Sequence, residues 1–173
     1  MALSRDAYRM LEDIVGPEYI SEGLGIRDSY AFNVTCGAGS AFYTRPGAVI
    51  LPESTEEVQA IVKACNRFKI SFKAHSTGWC AWGNVFAEDG ILIDLRRMNR
   101  ILEIDERNQY AVLEPYVNGA QLQAELMKVG YNCNVVGAGA NVSILAGCTS
   151  AWGWGFNSFG YGVSSRNLLV MEW

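Results

Sequence analysis

Residues 46–83, PGAVILPESTEEVQAIVKACNRFKISFKAHSTGWCAWG, contain a strand pattern followed directly by a helix pattern. The apolar run 48–51 ends at Pro52, which is typical of a short buried strand. Ser54 and Glu57 then have the S-x-x-E spacing of a capping box, which predicts the start of a helix. Apolar residues recur after it at three- and four-residue spacing: Val58, Ile61, Val62 and Cys65. The sequence therefore predicts a strand and then a helix with one buried face.

A second strand, predicted at 70–73, leads into a loop of mostly small residues at 75–83, HSTGWCAWG. Small residues allow backbone N–H groups to come close to an anion, as in the concave arrangement known as a nest. The loop therefore predicts a binding site for a phosphate-bearing ligand. The alternative, which spacing alone leaves open, is a loop that only turns the chain.

Two familiar phosphate-binding motifs are excluded, because this chain lacks residues that each motif requires. Gly-x-Gly pairs occur at Gly23/Gly25, Gly37/Gly39, Gly137/Gly139, Gly153/Gly155 and Gly160/Gly162. None has a third Gly three residues later, and none is expected to open a helix after a strand, so a Rossmann dinucleotide site is not predicted. Gly78 and Gly83 have P-loop spacing, but Asn84 stands where the phosphate-binding Lys must be.

Composition excludes several function classes. The chain has 173 residues, half of them hydrophobic, which is enough to bury a core. A net charge of −4 without a basic cluster argues against nucleic-acid binding. Five cysteines without C-x-x-C spacing, and no secretory leader, indicate reduced thiols in a cytoplasmic protein. The single His leaves little scope for a metal site, and no apolar run approaches the roughly 18 residues of a membrane span.

The remaining sequence predicts a mixed α and β architecture. Ser4 caps a helix that ends at 16–17, and residues 18–47 are interpreted as an extended connector. Strands are predicted at 91–95, 101–105 and 110–114, the last two joined as a hairpin, and a helix follows at 120–129. Residues 137–162 form a glycine-rich loop that is too apolar for the surface. A buried loop must satisfy its backbone polar groups, and a cofactor's polar edges would do so.

Five segments in order along the chain carry a more specific pattern: residues 4–16 (SRDAYRMLEDIVG), 52–59 (PESTEEVQ), 92–105 (LIDLRRMNRILEID), 111–115 (AVLEP) and 153–160 (GWGFNSFG). Together they resemble the FAD-binding domain of the vanillyl-alcohol oxidase and p-cresol methylhydroxylase (PCMH) superfamily. The resemblance implies an α+β fold, the N-terminal part of a PCMH-type domain, with a small βαβ subdomain followed by a mixed sheet with flanking helices. It implies an N-terminal helix and connector at 1–45 and the FAD-binding domain at 46–173.

By the same resemblance, the domain is incomplete at its C-terminus and the substrate-cap domain is absent, with residues 168–173 as the beginning of a strand. A second polypeptide would supply the rest, or the chain is a fragment. The implied partners are that missing portion, a small-molecule substrate and, as an open alternative, further copies of the chain, with no nucleic acid and no membrane.

The resemblance also implies a set of FAD-binding residues. Those expected around the diphosphate are His75, Ser76, Thr77, Gly78, Trp79, Trp82 and Gly83. Those expected along the flavin are Pro115, Ser143, Ile144, Gly147, Cys148, Thr149, Gly153 and Gly155. Some relatives attach FAD covalently through a His in this loop, but Thr77 aligns there, so His75 is expected to form a hydrogen bond near the diphosphate.

The implied activity is that of an FAD-dependent oxidoreductase, or its flavin-binding portion, oxidising an alcohol- or phenol-type substrate by hydride transfer to the flavin. Tyr43 matches a phenolate-binding Tyr of the family and is the candidate catalytic residue. Phe156 is the candidate substrate residue, and it stands where phenol-oxidising relatives have a second Tyr. The alternatives are a non-catalytic flavin-binding or structural subunit, and an enzyme that oxidises 2-hydroxy acids or sugar-like alcohols.

Overall fold

The structure is a computed structural model that describes residues 3–31, 45–78, 89–133, 140–149, 155 and 158–172. The fold divides into two compact units, Met1–Arg97 and Met98–Trp173. Among the described residues, no helix is long and apolar enough to cross a membrane.

The first unit begins with helix α1, Arg5–Val15, as the sequence predicts. The Ser4 side chain caps it, because its Oγ accepts a hydrogen bond from the Ala7 backbone N–H at 3.2 Å. Three residues on one face of α1 are buried: Ala7, Leu11 and Val15. Gly16 ends the helix with a φ of +92°, a conformation that side-chain-bearing residues rarely adopt.

The prediction of an extended connector at 18–47 is wrong for the residues at its beginning, which form regular secondary structure. A 3-10 helix, Pro17–Tyr19, is followed by strand β1, Ile20–Ser21, and helix α2, Leu24–Ser29. Gly23 and Gly25 thus lie at the start of a helix after a strand, contrary to expectation, although the third Gly is still lacking. A two-residue strand carries no periodic signal, and β1 forms because Ile20 pairs with Ile50 of the next strand.

Four strands form the sheet of this unit in the order β1-β2-β4-β3. Strands β2 (Ala48–Ile50), β3 (Phe72–His75) and β4 (Ile91–Asp94) run parallel, and β1 is antiparallel to β2. Strand β3 begins two residues later than predicted. The predicted capping box starts helix α3, Thr55–Phe68: the Ser54 Oγ accepts from the Glu57 N–H at 3.2 Å. The core of the unit consists of Leu11, Val15, Ile20, Ile50, Ile61, Ala64, Cys65, Ile91 and Ile93.

The second unit contains the predicted hairpin and helix. Strands β5 (Ile101–Asp105) and β6 (Tyr110–Leu113) are antiparallel, and helix α4 spans Gly119–Lys128. Asn118 caps α4 by accepting from the Gln121 N–H at 2.9 Å.

The last part of the second unit departs from the predicted glycine-rich loop and terminal strand. Helix α5 (Ile144–Thr149) lies within the stretch predicted as loop, and helix α6 (Ser158–Tyr161) and a 3-10 helix, Ser164–Asn167, follow. Residues 168–172 belong to neither helix nor strand, so the strand predicted at 168–173 is absent from its described part. A strand needs a neighbour to pair with, and the described residues provide none there.

Candidate functional site

A cleft of about 540 Å³ opens in the first unit at the carboxyl ends of two parallel strands. His75 ends β3 and Asp94 ends β4, and the two residues are paired in register. Ligands of open α/β sheets bind at such carboxyl edges. The lining of the cleft includes Tyr30, His75, Thr77, Gly78 and Arg96.

The Asp94 carboxylate organises this edge of the sheet, although Asp94 itself is completely buried. It accepts hydrogen bonds from the Arg96 backbone N–H at 2.9 Å, the Arg96 Nε at 2.8 Å and the Tyr30 hydroxyl. The Arg96 Nη2 also donates to the Tyr30 hydroxyl oxygen at 2.8 Å. We refer to Tyr30, His75, Asp94 and Arg96 as the Asp94 cluster. A buried carboxylate is tolerated only when paired and hydrogen-bonded in this way.

His75 contacts the same cluster through its imidazole ring. Its Nδ1 lies 4.0 Å from the Asp94 carboxylate, and its ring meets the Tyr30 ring edge to face with centroids 5.4 Å apart. Burial lowers the pKa of His75, and Arg96 also lowers this pKa, while the Asp94 carboxylate acts in the opposite direction. The imidazole is therefore neutral at pH 7. Its Nδ1 is buried and has no hydrogen-bond partner among the described residues.

Gly78 turns the chain directly over the His75 imidazole. Its φ is +71°, and a Cβ added at this position would lie 2.8 Å from the His75 Nε2. A side chain is therefore excluded both by the backbone conformation and by the lack of space. Gly78 thus lies directly beside the His75 ring, three residues after the end of β3.

In the second unit, several of the predicted flavin residues lie together. The Ser143 Oγ donates to the Pro115 carbonyl at 2.7 Å and accepts from the Ala146 N–H at 3.1 Å, which also caps α5. The Ile144 N–H donates to the Val117 carbonyl at 3.0 Å. Ser143 is completely buried. Pro115, Ser143 and Ile144 therefore form one hydrogen-bonded junction.

Glu114 fixes the chain immediately before Pro115. Its carboxylate accepts from the Arg100 backbone N–H at 2.7 Å and from the Arg100 Nε and Nη2 at 3.0 and 2.6 Å. Burial acts to raise the pKa of Glu114, but the bonds to Arg100 outweigh it and hold that pKa below its usual range. The residue before the junction is thus anchored by a charged pair.

The other predicted flavin residues of this unit lie on or near its last helices. Gly147, Cys148 and Thr149 are on α5, where the Gly147 N–H donates to the Ser143 carbonyl at 2.9 Å. Cys148 is buried, and burial raises the pKa of its thiol. The Gly155 N–H donates to the Ser158 Oγ at 2.7 Å, just before α6.

Comparison with known proteins identifies the family. A family model described as "FAD binding domain" matches residues 46–173. The chain belongs to this FAD binding domain family. It is 24% identical over 172 residues to the glycolate oxidase subunit GlcD of Bacillus subtilis, with 98% of the chain and 36% of that protein covered.

Two solved structures agree with the fold. The 4-ethylphenol oxidase of Gulosibacter chungangensis matches with a TM-score of 0.71 and 29% identity over 84% of this chain and 29% of that one. p-Cresol methylhydroxylase matches with a TM-score of 0.67 and 22% identity over 81% and 28%. Together with the family match over residues 46–173, they confirm the resemblance to the PCMH superfamily, the α+β fold and the FAD cofactor. The chain spans about a third of the length of these relatives.

The first unit fits an FAD nucleotide by two local features. The positive φ of Gly78 and its lack of a side chain let the loop backbone turn tightly against the His75 ring at the strand end. The Nδ1 of His75 has no hydrogen-bond partner among the described residues, and a buried polar atom normally has one. His75, Ser76, Thr77 and Gly78 all lie at this strand end, as the sequence predicts, and their contact with FAD stays a prediction.

The remaining predicted site residues lie outside the described residues: Tyr43, Trp79, Trp82, Gly83, Gly153 and Phe156. Their roles stay predictions. Tyr30, Asp94 and Arg96, by contrast, were not predicted. Asp94 had a signal in the sequence, because an acidic residue ends the apolar run of a strand pattern, but Tyr30 lies 64 positions away from it and had none.

Proposed function

We propose that the protein is an FAD-dependent oxidoreductase and that this chain supplies part of its flavin-binding domain. Membership of the FAD binding domain family supports this proposal. The structural observation that supports this proposal is the turn of Gly78 over His75, at the carboxyl ends of β3 and β4. That arrangement suits a phosphate group bound by loop backbone.

Bound FAD would supply the hydride acceptor, and the protein would supply binding and orientation. Ser76, Thr77 and Gly78 would hold the diphosphate with backbone groups, and His75 would offer a neutral imidazole nitrogen to it. The Asp94 cluster would keep this strand end fixed. In the second unit, the Ser143–Pro115 hydrogen bond would fix the junction that carries the flavin residues.

The substrate proposed first is an alcohol or phenol, oxidised by hydride transfer to the flavin. The relative named 4-ethylphenol oxidase supports this class. A phenol ionised on binding needs hydrogen-bond donors, and Phe156 supplies none where phenol-oxidising relatives have Tyr. The loss of one donor to a buried charge costs about 1.5 to 3 kcal/mol. Tyr43, or residues beyond this chain, would then provide the donors.

A second candidate is oxidation of a 2-hydroxy acid. The relative named glycolate oxidase subunit supports it. Phe156 also lacks the hydroxyl that phenol-oxidising relatives have at this place, which weakens the case for a phenol. A third reading is a flavin-binding subunit without turnover. The remainder of the FAD domain and the cap domain, on this polypeptide or on a second one, would complete an active enzyme, and we propose that it is cytoplasmic.

Anaerobic reduction of the flavin distinguishes these candidates. The purified full protein is mixed with 4-alkylphenols, glycolate, D-lactate or a simple sugar alcohol, and loss of visible flavin absorbance is followed. Reduction by a phenol supports the first candidate, and reduction by a hydroxy acid alone supports the second. Absence of reduction by any of them, with FAD present, would contradict the proposed oxidoreductase activity on these classes.

A Phe156→Tyr variant tests the phenol pocket separately. Phenol binding, measured by perturbation of the flavin spectrum, should become about tenfold tighter or more. Tyr43→Phe is the matched change, and it should weaken binding. Tight phenol binding by the unmodified protein, unaffected by Tyr43→Phe and weakened by Phe156→Tyr, would place the phenol pocket elsewhere.

A further inference from the structure

The predicted diphosphate loop supplies no positive charge of its own. Residues 75–83, HSTGWCAWG, contain neither Lys nor Arg, and the imidazole of His75 is neutral at pH 7. A nucleotide diphosphate carries about two negative charges. Backbone N–H groups can bind it, but a nearby guanidinium would strengthen the site because its bonds to phosphate are charge-assisted.

Arg96 lies in the same cleft as the described start of that loop. Arg96, Thr77 and Gly78 all line it. The Arg96 side chain is 49% exposed, whereas Asp94 is completely buried and is not part of the lining. An anion that enters the cleft therefore reaches the Arg96 guanidinium, whereas the Asp94 carboxylate that pairs with it is buried.

The orientation of Arg96 is set before any ligand binds. Its Nε donates to Asp94, its Nη2 donates to the Tyr30 hydroxyl, and its guanidinium lies 5.7 Å from the Tyr30 ring centroid. A guanidinium held in this way loses little conformational entropy when it binds an anion. These contacts distinguish Arg96 from an arginine on the free surface.

We propose that Arg96 contacts the diphosphate of the bound flavin nucleotide, and that Asp94 and Tyr30 are positioning residues that aim its guanidinium into the cleft. The proposal deepens the proposed function and rests on it. Glu18 also lines the cleft and carries the opposite charge, so its replacement by Gln should not weaken nucleotide binding.

Binding of FAD, ADP and riboflavin to the apoprotein of the full protein tests this assignment. ADP contains the diphosphate without the flavin, and riboflavin contains the flavin without phosphate. Arg96→Gln should weaken FAD and ADP binding by about 10- to 100-fold and leave riboflavin binding unchanged. It should also reduce the salt dependence of ADP binding, because one ionic contact is lost.

Matched variants separate a binding role from a structural one. Arg67→Gln removes an exposed arginine of α3 outside the cleft, and all three affinities should stay within about twofold. Arg96→Lys keeps the charge without the planar fork and should give an intermediate loss. Tyr30→Phe should weaken ADP binding less than Arg96→Gln does, and again spare riboflavin.

Equal losses for all three ligands, or no loss of ADP binding in Arg96→Gln, would overturn the assignment. Ligand binding by the wild-type protein shows whether the role of Arg96 or the proposed flavin function is wrong. If it binds FAD and ADP but the Arg96 variants bind as well as it does, the role of Arg96 alone is wrong. If it binds ADP but not FAD, the flavin function is wrong, and if it binds neither, both are wrong.

Discussion

The Ser143 hydroxyl donates a 2.7 Å hydrogen bond to the carbonyl of Pro115, 28 positions earlier in the chain. This bond joins the end of the β5-β6 hairpin to the start of α5. Both residues belong to the predicted flavin set. The second unit therefore brings together, through a buried side chain, two segments that the family resemblance assigns to the same ligand.

Ser143→Ala should remove this bond and the cap of α5 together. We expect the free energy of unfolding to fall by about 1 to 2 kcal/mol, since the partly buried Pro115 carbonyl loses the Ser143 donor and a helix loses its N-cap. Chemical denaturation of the full protein measures this. Ser165→Ala, at an exposed position of the last 3-10 helix, is the control and should change it by less than about 0.5 kcal/mol. Equal losses of unfolding free energy in Ser143→Ala and Ser165→Ala would show that the Ser143–Pro115 hydrogen bond does not stabilise the protein.

Asp94→Ala should destabilise the first unit more strongly. Removing the buried carboxylate takes one acceptor from Arg96 and one from the Tyr30 hydroxyl. Because the Arg96 side chain is 49% exposed and can turn to water, we expect the free energy of unfolding to fall by about 1.5 to 3 kcal/mol. Denaturant titration gives the change, and the exposed Asp13→Ala on α1 is the matched control. A loss below about 1 kcal/mol for Asp94→Ala would mean that the Asp94 cluster contributes little.

His75 should make stability depend on pH on the acid side of neutrality. Burial lowers its pKa in the folded protein below the ordinary value of 6.5, so the unfolded chain binds more protons than the folded one between these two values. Stability is then complete above about pH 7.5 and falls as the pH decreases through 6.5 toward the folded-state pKa.

The His75→Gln variant provides the comparison, because His75 is the only histidine of the chain. The difference in unfolding free energy between wild type and variant should shrink or reverse from about pH 8 to about pH 5.5. Asp94, Arg96 and Tyr30 face the imidazole, and all three remain in the variant. A difference that is constant with pH would show that the imidazole titrates normally.

Residues 1–173 expressed alone should be poorly soluble. Phe159, Leu169 and Val170 are among the most exposed large apolar residues, with Leu169 and Val170 at 77% and 86%. Apolar groups so exposed favour association unless another layer covers them. Co-expression with the proposed remainder of the flavin domain should restore solubility, as measured by the soluble fraction and light scattering. A monomeric product that unfolds cooperatively would contradict this expectation.

The sequence predicted those elements whose signals are local. α1 and α3 have a capping serine and helical spacing, and both begin where predicted because the cap and the buried face act within a few residues. β1 was missed, since a two-residue strand is defined by its partner and not by its own pattern. The Asp94 cluster was missed for the same reason. Tyr30 and Asp94 meet only because α2 lies beside the sheet, and the hydrophobic periodicity of the sequence does not predict such a tertiary contact.

The FAD content of a Gly78 variant shows whether the loop after β3 binds the diphosphate. The wild-type full protein should purify with bound FAD, visible in its absorption spectrum and measurable after denaturation. Gly78→Val should lower the flavin content strongly, because its side chain would meet the His75 ring and force the loop from the sheet edge. Gly25→Ala, where an added Cβ meets nothing within 4 Å, should retain FAD fully. Unchanged FAD content in Gly78→Val would contradict the assignment of the diphosphate to the loop after β3.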